Sequence, residues 1–309
     1  VSDKLPHIRG RIAALRSFHE IVRALQSLAA AQSRAAAPAL EAARAHLAAT
    51  RQALAAFAPG LLADLAPGAA EDAPQAPAFG PQSARADAPE TGPAAAPRAT
   101  LLVMGSEHGF VGAMNARLAA RAVRALAPGE ALEVVGARLA RTLAQESGRA
   151  PDAVLPMPAR IASAPELAAR LAARLARAPS LRLIHAPCGR GGPQAPVLTR
   201  QAPHRLDPAA ARPPSGLDAP LAQLAPDALA AGLADELLFS RIAAALVETM
   251  AAENAARLEV MRAADRNIRE KLAELTRQSL ILRQDEITEE MMDVLTGAEA
   301  LRQAEEDPL

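Results

Sequence analysis

Both ends of this 309-residue chain carry a hydrophobic repeat far longer than an ordinary globular helix needs. In the first pattern, which runs to about Phe57, Ile8, Ile12, Leu15, His19, Val22, Leu25 and Ala29 step by four and three. That is the spacing of a coiled-coil seam. Arg9, Arg11, Arg16, Glu20 and Arg23 occupy the other faces. The pattern covers about 50 residues, roughly 75 Å at 1.5 Å per residue. Pro38 removes one backbone hydrogen bond within it, so a kink is expected there. A second pattern occupies about 226–304, where Met261, Asp265, Ile268, Leu272, Leu275, Ser279 and Leu282 repeat the same steps. Asp265 and Ser279 are polar seam positions, which can set register at some cost in stability. Two such helices flanking a middle segment predict an antiparallel hairpin.

Composition agrees with long, close-packed helices. Half of the residues are apolar, yet there is no Trp, no Tyr and only five Phe, and alanine supplies much of the apolar half. Alanine favours helix but buries little area, and the usual aromatic anchors of a globular core are missing. The charges balance, 34 basic against 34 acidic, which argues against a nucleic-acid binder. The single Cys, Cys188, excludes a disulfide framework and points to a reducing compartment. No run of eighteen apolar residues and no signal-peptide core are present, so a soluble cytoplasmic location is expected.

The middle of the chain has a different rhythm. Residues 59–98 are rich in Pro, Ala and Gly without periodicity and read as a loop or disordered insertion. From 99 to about 215, short apolar strands at Thr100–Met104, Leu132–Val135 and Leu181–Ala186 alternate with helices at Ala113–Leu126, Ala137–Glu146 and Pro165–Arg177. This βαβ rhythm predicts a small Rossmann-like α/β domain with a mostly parallel sheet. The expected fold class is therefore α/β, with that domain inserted between the two coiled-coil helices. The expected segments are 1–58, 59–98, 99–215 and 225–305.

Few residues suggest chemistry. The loop from Ser106 to Asn115 follows a strand and opens a helix, as phosphate-binding loops do, but it lacks the third glycine of a dinucleotide fingerprint and any Gly-Lys-Ser/Thr ending. A structural turn is the better reading, with Gly109 and Gly112 supplying unusual backbone angles and Asn115 opening the helix. The six His and one Cys show no metal-ligand spacing, and no Ser, His and Asp set has a catalytic context. His19 reads as a packed seam residue, His108 as a capping or surface group, and Cys188 as inert.

Four blocks then resemble one family. They are Ile8-Arg9-Gly10-Arg11-Ile12 with Arg23-Ala24-Leu25-Gln26; Ser106-Glu107-His108-Gly109-Phe110-Val111-Gly112-Ala113-Met114-Asn115; Glu253-Asn254-Ala255-Ala256-Arg257-Leu258 with Met261-Arg262-Ala263-Ala264; and Arg283-Gln284 with Ile287-Thr288, Glu290 and Gly297-Ala298. In this order and spacing they resemble the gamma subunits of bacterial F-type ATP synthases, on a divergent branch. Val111 stands where that family carries Cys.

The resemblance implies a non-catalytic rotor shaft with no cofactor and no metal. Its implied partners are the alpha and beta subunits of the catalytic hexamer, the epsilon subunit and the membrane c-ring, with no nucleic acid. The implied location is peripheral, on the cytoplasmic face of the inner membrane. The positions implied to contact the hexamer and serve coupling are Arg9, Arg23, Leu25, Arg257, Arg283, Gln284, Thr288 and Glu290. Two rival readings are a free-standing coiled-coil adaptor and a dinucleotide-binding α/β enzyme.

A register follows from the helix ends. If the helices meet the middle domain near Phe57 and Ala225, Leu25 lies opposite Arg257 and Ile8 opposite about Glu274. About 30 residues of the last helix then extend unpartnered, leaving Ile287, Met291 and Val294 uncovered.

Overall fold

The computed structural model describes residues 4–57, 98–189, 191–201 and 224–306. The expected insertion at 59–98, apart from Arg98, and the end of the expected α/β segment beyond 201 lie outside them. The elements are α1 (Lys4–Phe57), β1 (Thr100–Met104), α2 (Met114–Ala125), β2 (Ala131–Val135), α3 (Ala137–Ser147) and β3 (Ala153–Leu155). A 3-10 turn (Ile161–Ser163) leads into α4 (Ala164–Leu175) and β4 (Leu181–His185). The short pair β5 (Cys188–Gly189) and β6 (Gly192–Pro193), then β7 (Val197–Gln201) and α5 (Pro226–Glu306), complete the chain. Helix α1 continues through Pro38 as one element. Two compact units form, one from Val1–Leu28 with Leu258–Leu309, the other from Ala29–Arg257.

The first unit is an antiparallel pair of helical segments. Leu5, Ile12 and Val22 of α1 are buried, as are Met261, Ile268 and Leu275 of α5, each set on the heptad seam. Val22, Met261 and Ile268 form one cluster, flanked by Leu25, Val260, Ala264 and Leu272. The polar seam position Asp265 is not idle: His19 Nε2 lies 2.6 Å from its Oδ1. Arg269 adds a second contact at 3.0 Å. The expected register would set His19 opposite residue 263, so the pairing sits two residues further along α5. The hydrogen-bonded polar pair selects this register, because a buried carboxylate without a partner is costly.

The second unit holds a five-stranded sheet of order β3-β2-β1-β4-β7. The pairs β1–β2, β1–β4 and β2–β3 are parallel, while β7 runs antiparallel to β4. The parallel part has the order of half a Rossmann sheet. Side chains alternate across it as the strand period requires. Leu101 and Val103 face α2 and α3, meeting Met114, Leu118, Leu139 and Leu143. Leu102 and Met104 face the other way, onto Leu167, Leu171 and Leu175 of α4 and Leu238, Ile242, Leu246 and Met250 of α5. Ala39, Leu40 and Ala43 of α1 pack against that second cluster.

Strands β3, β5, β6 and β7 go beyond the sequence reading. β3 has only three residues, with Val154 half exposed, and β7 carries Thr199, Arg200 and Gln201. Neither edge strand has the continuous apolar run that marks the buried β1, β2 and β4.

The domain closes tightly where β1 and β2 end. A side chain at Gly136, whose φ is 108°, would lie 2.6 Å from the carbonyl oxygen of Gly105 and 2.7 Å from that of Ser106. Both obstacles are backbone and cannot swing away. Gly136→Ala should therefore destabilise the second unit by about 2 kcal/mol or more, read as a lowered urea midpoint of the full chain. An unchanged midpoint would show that the two strand ends are not held together.

Candidate functional site

The turn after β1 is a junction of hydrogen bonds. Asn115, buried at the start of α2, accepts the Ser106 N–H through Oδ1 at 3.2 Å and donates from Nδ2 to Ser106 Oγ at 2.7 Å. Ser106 Oγ in turn donates to the His108 carbonyl at 2.8 Å. Glu107 Oε2 accepts from the N–H groups of Ala137 and Met157 at 3.1 and 3.0 Å, capping α3 from outside the helix. The left-handed residues are Phe110 (φ 63°) and Gly112 (φ 56°). This corrects the expectation for Gly109, whose φ lies outside that region. The strain falls instead on Phe110, a side chain 61% exposed. A depression of ≈ 320 Å³ beside the turn is lined by Gly109–Gly112, Asn115 and Arg138 among others.

Polar groups also join the sheet to the long helices of this unit. His185, at the end of β4, holds Glu248 of α5 at 2.8 Å, and Arg44 of α1 reaches the other carboxylate oxygen at 2.7 Å. Arg44 Nη2 also donates to the Cys188 carbonyl at 3.1 Å. Burial raises the Glu248 carboxyl, but hydrogen bonds and charge from His185 and Arg44 outweigh it, so the group lies below its ordinary 4.5. The Cys188 thiol is pushed up by burial, with Arg44 opposing and Glu248 adding to the rise. It is thus a poorer nucleophile than a free thiol.

The positions expected to contact a hexamer separate into two groups. Arg283, Gln284, Thr288 and Glu290 are all exposed on the last part of α5, with Thr288 Oγ1 donating to the Gln284 carbonyl at 2.9 Å. Arg9 and Arg23 are exposed on α1, and Leu25 is half-buried beside the seam. Arg257 behaves differently. Its guanidinium meets Glu253 Oε1 at 2.6 Å, and the two side chains are 13% and 7% exposed. The resemblance did not reveal that this residue is engaged within its own helix.

The end of α5 also changes character. Continuing the seam past Leu282 leads to Glu286, Glu289 and Asp293, which are polar. The apolar residues move to another face: Leu280, Ile281, Ile287, Met291, Met292, Val294 and Leu295 are 48–72% exposed. Ile287, Met291 and Val294 are uncovered as expected, and the sequence reading missed the others. The switch of apolar phase from Leu282 to Ile287 was the available signal. Phe18, Ile21 and Leu28 form a second exposed apolar line on α1. Single exposed apolar residues are ordinary, but runs of this length mark an interaction surface.

Terminal helices that pair as a coiled coil, a Rossmann-like domain inserted in the chain between them and an exposed apolar helix end define the class of this chain. A family model described as ATP synthase matches residues 4–301, and the chain belongs to that family. It is similar to the ATP synthase gamma chain of Frankia casuarinae, 35% identical over 125 residues that cover 39% of this chain and 41% of that one. The gamma chain of Parafrankia sp. is 38% identical over 104 residues, 32% of this chain and 35% of that one. That of Syntrophus aciditrophicus is 49% identical over 57 residues, 18% and 20% of the two chains. The chain thus matches less than half the length of each of these relatives.

Solved structures align over far more. A chain of the Euglena gracilis mitochondrial ATP synthase superposes with a TM-score of 0.66 at 12% identity, covering 100% of this chain and 98% of that one. A chain from the central stalk and c-ring structure of the Tetrahymena thermophila enzyme gives 0.55 at 16% identity, covering 79% and 99%. These likenesses concern the fold.

The Glu248 cluster yields a pH dependence. The unfolded carboxyl titrates near 4.5 and the folded one below it, so the stabilisation is present above about 4.5 and is lost as pH falls through the lower folded value. Glu248→Gln should flatten the acid limb of the stability curve of the full chain, measured as unfolding midpoint from neutral pH to about pH 3. An acid limb as steep as that of the natural chain would remove the cluster from the balance.

Proposed function

We propose that this chain is the central rotor shaft, the gamma subunit, of a bacterial F-type ATP synthase. In this reading it couples ion-driven rotation of a membrane ring to ATP synthesis or hydrolysis in an alpha–beta hexamer. It supplies no catalytic group of its own. The carrying observation is the unpaired end of α5, where the exposed residues Arg283, Gln284, Thr288 and Glu290 lie among exposed Ile287, Met291 and Val294. An apolar run of this length marks an interaction surface, and a hexamer with a central opening would cover it.

The mechanism is differential contact. A shaft can bias the conformation of a catalytic subunit only by contacting its states unequally. The two faces of the α5 end differ in chemistry, with acids on the old seam and apolar groups beside Gln284 and Thr288. As the shaft turns, each subunit meets a different face. Charge contacts at about 4 Å, worth roughly 4 kcal/mol at an effective dielectric near 20, suffice to bias such states.

On this reading the α/β domain engages the epsilon subunit and the c-ring. The protein then sits peripherally on the cytoplasmic face of the inner membrane. Among the described residues no helix is long and apolar enough to cross a membrane, which suits a peripheral place.

Purification tests the proposal: the tagged chain should bring alpha and beta chains with it, and a lone chain would refute the reading. Replacing Gln284 and Thr288 together with Ala should lower coupled ATPase activity several-fold while the isolated chain keeps its helix content and melting point. Wild-type turnover in that double variant would exclude the two residues from coupling. Hydrogen exchange offers an independent check. Residues 285–295 should exchange fast in the free chain and slowly in the complex, whereas strong protection in the free chain would contradict an uncovered helix end.

A further inference from the structure

On the rotor reading, torque passes between the α/β domain and the long helices, and it passes without slip only if their contact is fixed. The contact is mostly apolar. Leu238, Ile242, Leu246 and Met250 of α5 form a ridge at four-residue spacing against Leu102, Met104 and Leu183 of the sheet, and Leu40 and Ala43 of α1 pack on the same cluster. Burial of this kind resists separation strongly. It resists sliding less, because the hydrophobic effect is non-directional and each dispersion contact is small. Directional bonds across the same contact have to supply the rest.

Glu248 supplies such bonds from within the ridge, between Leu246 and Met250. Its Oε2 lies 2.8 Å from Nε2 of His185, at the end of β4. Its Oε1 accepts Nε and Nη2 of Arg44, on α1, at 2.8 and 2.7 Å. The same Nη2 donates to the carbonyl of Cys188, in β5, at 3.1 Å. An ionised carboxylate can only accept, so the imidazole is the donor. The His185 and Glu248 side chains are 10% and 14% exposed, and a low local dielectric strengthens a bond between paired groups. His185 Nδ1 is buried too and has no hydrogen-bond partner among the described residues, so the ring bonds through Nε2. One carboxylate thus ties β4, α1 and α5 together, and Arg44 returns from α1 to the strand after β4. By contrast, the bond of His46 to Glu236 joins α1 to α5, and that of Arg241 to the Arg200 carbonyl joins α5 to the edge strand β7. Sliding either long helix along the sheet must break a bond of the Glu248 junction.

We infer that Glu248, bonded at once to His185 of the sheet and to Arg44 of α1, is the lock that holds the α/β domain to both long helices so that torque passes without slip. Glu248 touches no reacting atom and is a positioning residue. The inference rests on the rotor reading above. Arg44, His185 and Glu248 belong to none of the four blocks that carry the family resemblance, so the lock is drawn from the fold and not from those blocks.

The test uses the assembled complex in sealed vesicles and measures ions accumulated per ATP hydrolysed. His185→Leu removes the sheet's bond to Glu248 and leaves the Arg44 pair in place, so the ratio should fall about fivefold, the scale of losing one hydrogen bond. His185→Gln offers an amide N–H in place of the Nε2 donor and should retain more than half of the wild-type ratio. Equal falls in the two variants would overturn the lock, because it depends on the bond and not on the ring. A merely structural role would lower yield or melting point and leave the ratio of assembled complexes unmoved, and that result overturns it too. If the Leu variant does not assemble, Arg44→Met is read instead, since the Arg44 side chain is 49% exposed. That change cuts the bonds from α1 to Glu248 and to the Cys188 carbonyl, so the ratio should fall about twofold or more; an unchanged ratio again overturns the inference. Absence of alpha and beta chains from the purified wild-type complex would overturn the rotor reading and the lock with it. A wild-type complex that pumps, beside a His185→Leu complex that pumps equally well, would overturn the lock alone.

Discussion

A mostly parallel sheet must be covered on both faces, and here one cover is part of a much longer helix. Leu238, Ile242, Leu246 and Met250 of α5 lie on the sheet face formed by Leu102, Met104 and Leu183. Burying four such side chains contributes on the order of 6–12 kcal/mol, which is comparable with the whole stability of a domain. The α/β domain consequently cannot be stable as drawn without the helix that also carries the exposed Gln284 and Thr288. The α/β domain and this stretch of α5 are therefore one folding problem.

Alanine divides the labour. Ala29 and Ala36 on α1, and Ala230, Ala234, Ala245, Ala252 and Ala256 on α5, are all buried. Small side chains allow close backbone approach but yield little area each, so specificity has to come from elsewhere. It comes from the polar pairs: His19 with Asp265, His185 and Arg44 with Glu248, and Arg257 with Glu253. Asp265 is held below its ordinary value by the His19 hydrogen bond, with burial opposing and the charges of Arg269, His19 and Arg23 assisting. Glu253 lies above its ordinary value because burial exceeds the help from Arg257 and His108. Such pairs are weak stabilisers when compared with an apolar replacement, and their use is to fix one register among several similar ones.

The gamma-chain family membership and the exposed end of α5 point the same way for physical reasons. A long exposed apolar face marks an interaction surface, and the acids Glu286, Glu289 and Asp293 on the former seam prevent α5 from covering that face by pairing as a longer coiled coil. The residues of that end are poorly suited to pairing with α1.

The heptad seam, the β1, β2 and β4 strands and the start of α5 at Pro226 were legible in the sequence because each depends on local periodicity. So was the family resemblance, which rests on short blocks. The structure alone decided the rest. Strands β3 and β7 exist because β2 and β4 offer edges to pair with, and three residues or a polar run carry too little pattern to announce that. Phe110 took the left-handed conformation expected of Gly109 because the turn is pinned on both sides by Ser106 and Asn115. The partners of His19 and Glu248 lie 246 and 63 residues away in the chain. Periodicity tells which face of a helix is apolar, but a polar residue's partner depends on how separate elements pack, and only the tertiary fold brings those groups within hydrogen-bonding distance.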